Sequence, residues 1–135
     1  MDNTIKTILL VEDDLFLLDV YTQFFTQRGY HVISATDGEE GINKLTENKY
    51  YFIILDIMLP KKTGIDILKE IKKEGSTIKD IPVFMLTAVG YDEIIKQAFQ
   101  IGANGYFLKS SSLPNQIIDE VESTINNSGA ALLQQ

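Results

Sequence analysis

Apolar residues alternate between two textures along this 135-residue chain. One is the short uninterrupted run, seen at Ile8-Leu9-Leu10-Val11, Tyr51-Phe52-Ile53-Ile54-Leu55 and Val83-Phe84-Met85-Leu86. Continuous runs are what strands covered on both faces require, so these three predict central strands of a parallel sheet. Weaker strand patterns fall at His31-Val32-Ile33-Ser34-Ala35 and at Tyr106-Phe107-Leu108, the latter after a turn from Gly102 to Gly105. The other texture has the helical period. Leu17, Leu18, Tyr21, Phe24 and Phe25 form one stripe, and Gly29 follows where a helix C-cap glycine belongs. Thr36 and Glu39 have the spacing of a capping box ahead of a second helix near residues 37–47, with Ile42 and Leu45 as its thin apolar side. Further helices carry Ile67, Leu68 and Ile71, then Ile94, Ile95, Ala98 and Phe99, then Ile117, Ile118, Val121 and Ile125 behind Ser112 and Pro114.

Strand and helix therefore alternate five times, and right-handed crossovers then give an α/β fold. The expected architecture is a doubly wound five-stranded parallel sheet with flavodoxin-like strand order 2-1-3-4-5 and helices on both faces. Residues 1–127 form one domain on this reading, and 128–135 are a short C-terminal tail or linker stump.

Composition narrows the function more than the fold. With 44% hydrophobic and 23% charged residues the chain can bury a core, and its length fits a single domain. A net charge of −7 repels nucleic acid and anionic lipid, so neither is an expected partner. The absence of cysteine removes disulfides, thiolate chemistry and Cys-ligated metals, and the single histidine, His31, rules out a multi-histidine zinc site. Neither a signal-peptide pattern nor a run of about 18 apolar residues is present, which makes the cytoplasm the expected location. Carboxylates, hydroxyls and lysines are left to supply the chemistry.

In an open parallel sheet, functional groups collect beyond the carboxyl ends of the strands where the winding reverses. The first strand ends in Glu12-Asp13-Asp14, the third in Asp56, the fourth in Thr87-Ala88 and the fifth in Lys109. Carboxylates converging there would repel one another by about 1 to 4 kcal/mol per close pair unless a cation offsets them. A hard divalent ion with oxygen ligands fits, and Mg²⁺ is the natural one because it keeps waters and accepts phosphate oxygens. Lys109 and Thr87 suit the oxygens of a transferring phosphoryl group, and Asp56, closing the most buried strand, suits a carboxylate nucleophile. Plainer roles exist for each group alone. Asp14 fits a helix N-cap, His31 fits a strand end at the surface, and lysines 61, 62, 69, 72 and 73 interleave with Asp66, Glu70 and Glu74 as a solvated face would.

The four motifs together resemble the receiver domain of bacterial two-component response regulators, over residues 5–127. They are Ile8-Leu9-Leu10-Val11-Glu12-Asp13-Asp14, Leu55-Asp56-Ile57-Met58-Leu59-Pro60 with Gly64, Leu86-Thr87-Ala88 and Tyr106-Phe107-Leu108-Lys109. The resemblance implies that Asp56 accepts a phosphoryl group from a sensor histidine kinase or a histidine phosphotransfer protein in a phosphorelay. It implies that Asp13, Asp56 and the main-chain carbonyl of Met58 ligate Mg²⁺, with Glu12 acting through metal-bound water. It further implies that Thr87 moves toward the phosphoryl group while Tyr106 turns inward, changing the face of helix 4, strand 5 and helix 5 that a downstream protein or output domain reads. Such a chain is a switch rather than a turnover enzyme, and is expected as a monomer or a weak phosphorylation-dependent dimer.

Three positions depart from the family pattern. Serine follows Lys109 where the family has proline in a cis peptide, and a non-proline cis bond costs about 2.5 to 4 kcal/mol, so the Lys109-Ser110 loop is either strained or rebuilt. Met58 and Val89 stand two residues past Asp56 and Thr87, and neither can orient a hydrolytic water, which predicts a long-lived phosphoryl group. Asn104-Gly105 and the arginine-free fifth helix lack charges that many DNA-binding regulators use to dimerise. A haloacid-dehalogenase-type phosphohydrolase would need an acid at Met58, and a flavodoxin would need a phosphate-cradling loop in place of Glu12-Asp13-Asp14. The alternative function is a pseudo-receiver, a scaffold that binds partners without phosphorylation, favoured only by the missing proline.

Overall fold

The computed structural model describes residues 5–88, 90 and 92–133, with side chains as far as residue 127. Its elements run β1 (Lys6–Val11), α1 (Leu15–Gln27), β2 (Tyr30–Ala35), α2 (Gly38–Lys44), β3 (Ile53–Asp56), α3 (Gly64–Lys72), β4 (Val83–Thr87), α4 (Asp92–Ile101), β5 (Gly105–Leu108) and α5 (Pro114–Leu133). The strands form one parallel sheet in the order β2-β1-β3-β4-β5, as the alternation predicts.

Strand pleating divides the apolar runs between two layers. Ile8, Leu10, Ile54, Phe84 and Leu86 face Tyr21 and Phe25 of α1 and Ile117, Ile118 and Val121 of α5. Leu9, Val11, Ile53, Leu55, Val83 and Met85 face Ile67, Leu68 and Ile71 of α3, with Leu45 and Ala98 beside them. Both faces of β1, β3 and β4 are therefore buried, which is why their sequences do not alternate.

Local signals place the helix ends. The Asp14 side chain accepts from the amides of Phe16 and Leu17, so it is the cap its position predicts. Gly29 has φ +94°, the left-handed conformation that ends a helix without a Cβ penalty. Four expectations need correction. The N-cap of α2 is Asp37, whose carboxylate accepts from the Glu40 amide at 2.8 Å, and not Thr36, because the short helix starts one residue later than the T-x-x-E spacing implies. Tyr51 and Phe52 precede β3 rather than opening it. Phe99 is 46% exposed, since Ala98 rather than Phe99 faces the sheet. Lys72 is half-buried rather than solvated: its stem crosses Gly102 and its ammonium donates to the carbonyls of Lys79 at 2.6 Å and Ile81 at 3.2 Å. The helix α5 runs on to Leu133.

Among the described residues no helix is long and apolar enough to cross a membrane.

Candidate functional site

The strand ends meet as the topology requires. Because β1 lies beside β3, with Val11 opposite Leu55, the next residues of each strand bring Glu12 and Asp13 toward Asp56. Carboxylate oxygens of Glu12, Asp13 and Asp56 lie within 4.8 Å of one another. Glu12 is fully buried and Asp56 is 2% exposed, whereas Asp13 is open to solvent. Asp14 stays with its helix, and its amide donates to Glu12 Oε2 at 3.2 Å.

Lys109 enters from the other side. Its backbone N–H donates to the Thr87 carbonyl at 2.8 Å, and its Nζ lies 2.9 Å from Asp56 Oδ2 and 2.8 Å from Glu12 Oε1. The contact with Asp56 is a hydrogen bond; the contact with Glu12 is an ion pair without hydrogen-bond geometry, which leaves the buried Oε1 with unused acceptor capacity. No peptide bond among the described residues is cis. The loop after Lys109 is instead a turn in which the Ser111 amide donates to the Leu108 carbonyl, so the ammonium arrives without a proline behind it. Thr87 is buried at the end of β4, one residue past Leu86, which pairs with Asp56.

The segment after Asp56 is wound tightly against it. The Met58 amide donates to Asp56 Oδ1 at 3.2 Å, and the Gly64 amide closes back on the Ile57 carbonyl at 2.9 Å. At Gly64 a Cβ would come within 2.2 Å of the Asp56 carbonyl oxygen, so only glycine fits there. The Met58 side chain is 64% exposed and points no polar group at the site. Tyr106 lies at the surface, its ring edge-on to Phe99 at 6.1 Å. His31 is exposed on β2, away from this end of the sheet, and Val89 lies outside the described residues.

Charge and burial conflict at Glu12. Burial first, and then the neighbouring Asp56 carboxylate, push its carboxyl up from 4.5 to about 7. Burial alone would lower the Lys109 ammonium, yet Glu12 and Asp56 together hold it above its ordinary value. Three clustered carboxylates, only two of them paired with the one lysine, form a donor set that a hard divalent cation would complete. A testable consequence concerns the metal-free protein. A carboxyl whose folded value lies above its unfolded one binds more protons in the native state, so its stabilising contribution is complete below pH 4.5 and is lost as pH rises through about 7. Thermal midpoints measured in a chelator should therefore fall across this window by more in the wild type than in Glu12→Gln. Parallel curves would overturn the assignment.

Comparison with known proteins agrees with this geometry. The family model of the response regulator receiver domain matches residues 8–122. Response regulator RR06 of Streptococcus pneumoniae is 36% identical over 106 residues, covering 78% of this chain and 47% of that protein. The phosphate regulon transcriptional regulatory protein PhoB of Escherichia coli is 33% identical over 120 residues, covering 89% of this chain and 52% of its own. The chain thus spans about half the length of these curated relatives. Among solved structures, a chain of the CheX-CheY-BeF3-Mg+2 complex from Borrelia burgdorferi aligns with a TM-score of 0.80 at 29% identity, over 89% of both chains. A CheY-like receiver domain protein from Methanospirillum hungatei shares the fold, with a TM-score of 0.85 at 24% identity over 95% of this chain and 99% of its own. Since the family match runs from β1 into α5, across every element that carries the site, the chain belongs to the response regulator receiver domains, the phosphorylation-dependent signalling modules of two-component systems.

Proposed function

We propose that this receiver is switched by phosphorylation of Asp56. The observation that carries this reading is the bridge from Lys109 Nζ to Asp56 and Glu12, at 2.9 and 2.8 Å, with Asp13 completing the acidic cluster. An Asp56 carboxylate oxygen attacks the phosphorus of a phosphohistidine on a sensor kinase or phosphotransfer protein. The P–O bond forms, the P–N bond breaks, and the imidazole leaves with a proton. Asp13, Asp56 and the Met58 carbonyl would hold Mg²⁺, with Glu12 reaching it through water, and the ion would screen the charge of attacking and leaving groups. Lys109 then places a fixed ammonium against a phosphoryl oxygen, and Thr87 offers its hydroxyl to another.

The output follows as a population shift. A phosphoryl group at Asp56 favours the state in which Thr87 turns toward it, and the space Thr87 leaves admits the ring of Tyr106. That ring now lies outside against Phe99, so its burial would reshape the α4-β5-α5 face for a downstream protein or output domain. Residues 1–127 act as the receiver on this reading and 128–135 as a tail, in a cytoplasmic protein that catalyses only its own phosphorylation and dephosphorylation. The pseudo-receiver alternative drew on the missing proline, and the intact contacts of Lys109 weaken it.

Incubation with Mg²⁺ and acetyl phosphate tests the proposal: intact mass should rise by one phosphoryl group, and no gain would reject it. The phosphoryl group should also persist, because the exposed thioether of Met58 cannot orient a water. Replacing it by a hydrogen-bonding side chain, Met58→Asn, should shorten the half-life after donor removal by about tenfold, the effect of ~1.4 kcal/mol in the barrier. An unchanged half-life would refute the role given to Met58.

A further inference from the structure

We infer that Gly38, the first residue of α2, is a positioning residue for the loop that carries Met58, an inference that rests on the metal reading above. Its N–H donates to the Pro60 carbonyl at 3.1 Å. A Cβ built on Gly38 would lie 1.8 Å from the Lys62 carbonyl oxygen and 2.4 Å from its carbon, so the loop backbone occupies the space of the missing side chain. Gly38 is not in the left-handed region, and its glycine identity therefore answers to contact rather than to backbone conformation.

The loop has little freedom to retreat. Lys61 is held at φ +69°, a conformation that disfavours a residue with a Cβ, and its ammonium faces Asp37 Oδ2 at 3.6 Å and Glu39 Oε2 at 4.0 Å on α2. The Lys62 amide donates to Pro60, and Gly64 seals the far end against Asp56. Residues 57–63 thus run between two glycine contacts, Gly64 on Asp56 and Gly38 on Lys62. Any side chain at Gly38 pushes Lys62 and Pro60 outward, and the connected segment includes the Met58 carbonyl. Gly38 touches no reacting atom; it acts through the loop.

Gly41 provides the control, since it lies in the same helix and its added Cβ would meet only side-chain carbons of Ile67 and Val11, at 3.0 to 3.3 Å. On helix propensity alone both alanine substitutions would favour α2. Mg²⁺ titrations followed by amide NMR shifts should show about tenfold weaker binding in Gly38→Ala, the low end for lost support of a metal ligand, and little change in Gly41→Ala. In the metal-free spectra the amides of Met58, Lys61 and Lys62 should move in Gly38→Ala alone. Equal Mg²⁺ binding by wild type and Gly38→Ala would overturn this inference alone; a wild type that takes no Mg²⁺ would overturn the site reading together with it. Should Gly38→Ala fail to fold, Asp37→Ala removes the cap of α2 and the Lys61 contact without a clash. It should weaken Mg²⁺ in the same direction, and wild-type affinity there would overturn the inference.

Discussion

Asp56→Asn, incubated with Mg²⁺ and acetyl phosphate beside the wild type, is expected to show no phosphoryl mass gain. The amide keeps the size and some of the hydrogen bonding of the carboxylate but has no anionic oxygen to attack phosphorus, and removal of a nucleophile costs on the order of a millionfold in rate. Two other acids stand in the cluster, so the result is not trivial. Glu12 is fully buried, with its oxygens against the Asp14 amide and the Lys109 ammonium, so a phosphoryl donor cannot reach it. Asp13 is exposed and lacks the Lys109 contact that would meet the developing charge. A persistent mass gain in Asp56→Asn would shift the acceptor to one of these residues, and peptide mapping would find it. The same variant should not lose metal-free stability in proportion to its lost activity. With Asp56 neutral, one of the causes that raise Glu12 disappears, and Lys109 retains a single partner carboxylate. Intact folding with abolished uptake is the expected pair of results.

The difference between what the sequence shows and what it hides is physical. Runs such as Ile53-Ile54-Leu55 mark buried strands because no polar residue interrupts them, and the residues ending those runs must then lie at one edge of a parallel sheet. Glu12, Asp13, Asp56, Thr87 and Lys109 were legible for that reason. What was not legible depends on contacts between distant segments. The cap of α2 falls on Asp37 instead of Thr36, adjacent residues with similar capping ability that no spacing rule separates. Lys72 has the sequence surroundings of a solvated helix face, yet the carbonyls of Lys79 and Ile81 draw its ammonium inward. Gly38 looks like an ordinary helix-start residue until the Lys62 carbonyl is found where its Cβ would be. The turn after Lys109 belongs with these, since a missing proline says which isomer is expensive but not which path the backbone takes instead.

Lys109→Met should produce the second large effect, in stability and in chemistry together. Its Nζ lies between two buried carboxylates, so the variant leaves Glu12 and Asp56 side by side with no fixed cation. Breaking a buried ion pair by removing one partner costs about 3 to 5 kcal/mol, because the remaining charge stays desolvated. In metal-free protein above pH 7 the denaturation midpoint should therefore fall clearly below that of the wild type. The loss should shrink as pH falls, since Glu12, whose carboxyl rises further once Lys109 no longer lowers it, then takes up a proton and ends the repulsion. Mg²⁺ should restore part of the stability by supplying positive charge to the same carboxylates. Phosphorylation should not recover in parallel. The ammonium is the group that meets a phosphoryl oxygen as charge develops, and loss of one such preorganised contact costs about 10² to 10³ in rate. At saturating Mg²⁺, acetyl phosphate should thus modify Lys109→Met slowly even where its stability matches the wild type. A variant that folds well and is phosphorylated at the wild-type rate would reduce Lys109 to a neutraliser of the resting site and transfer its catalytic role to the metal alone.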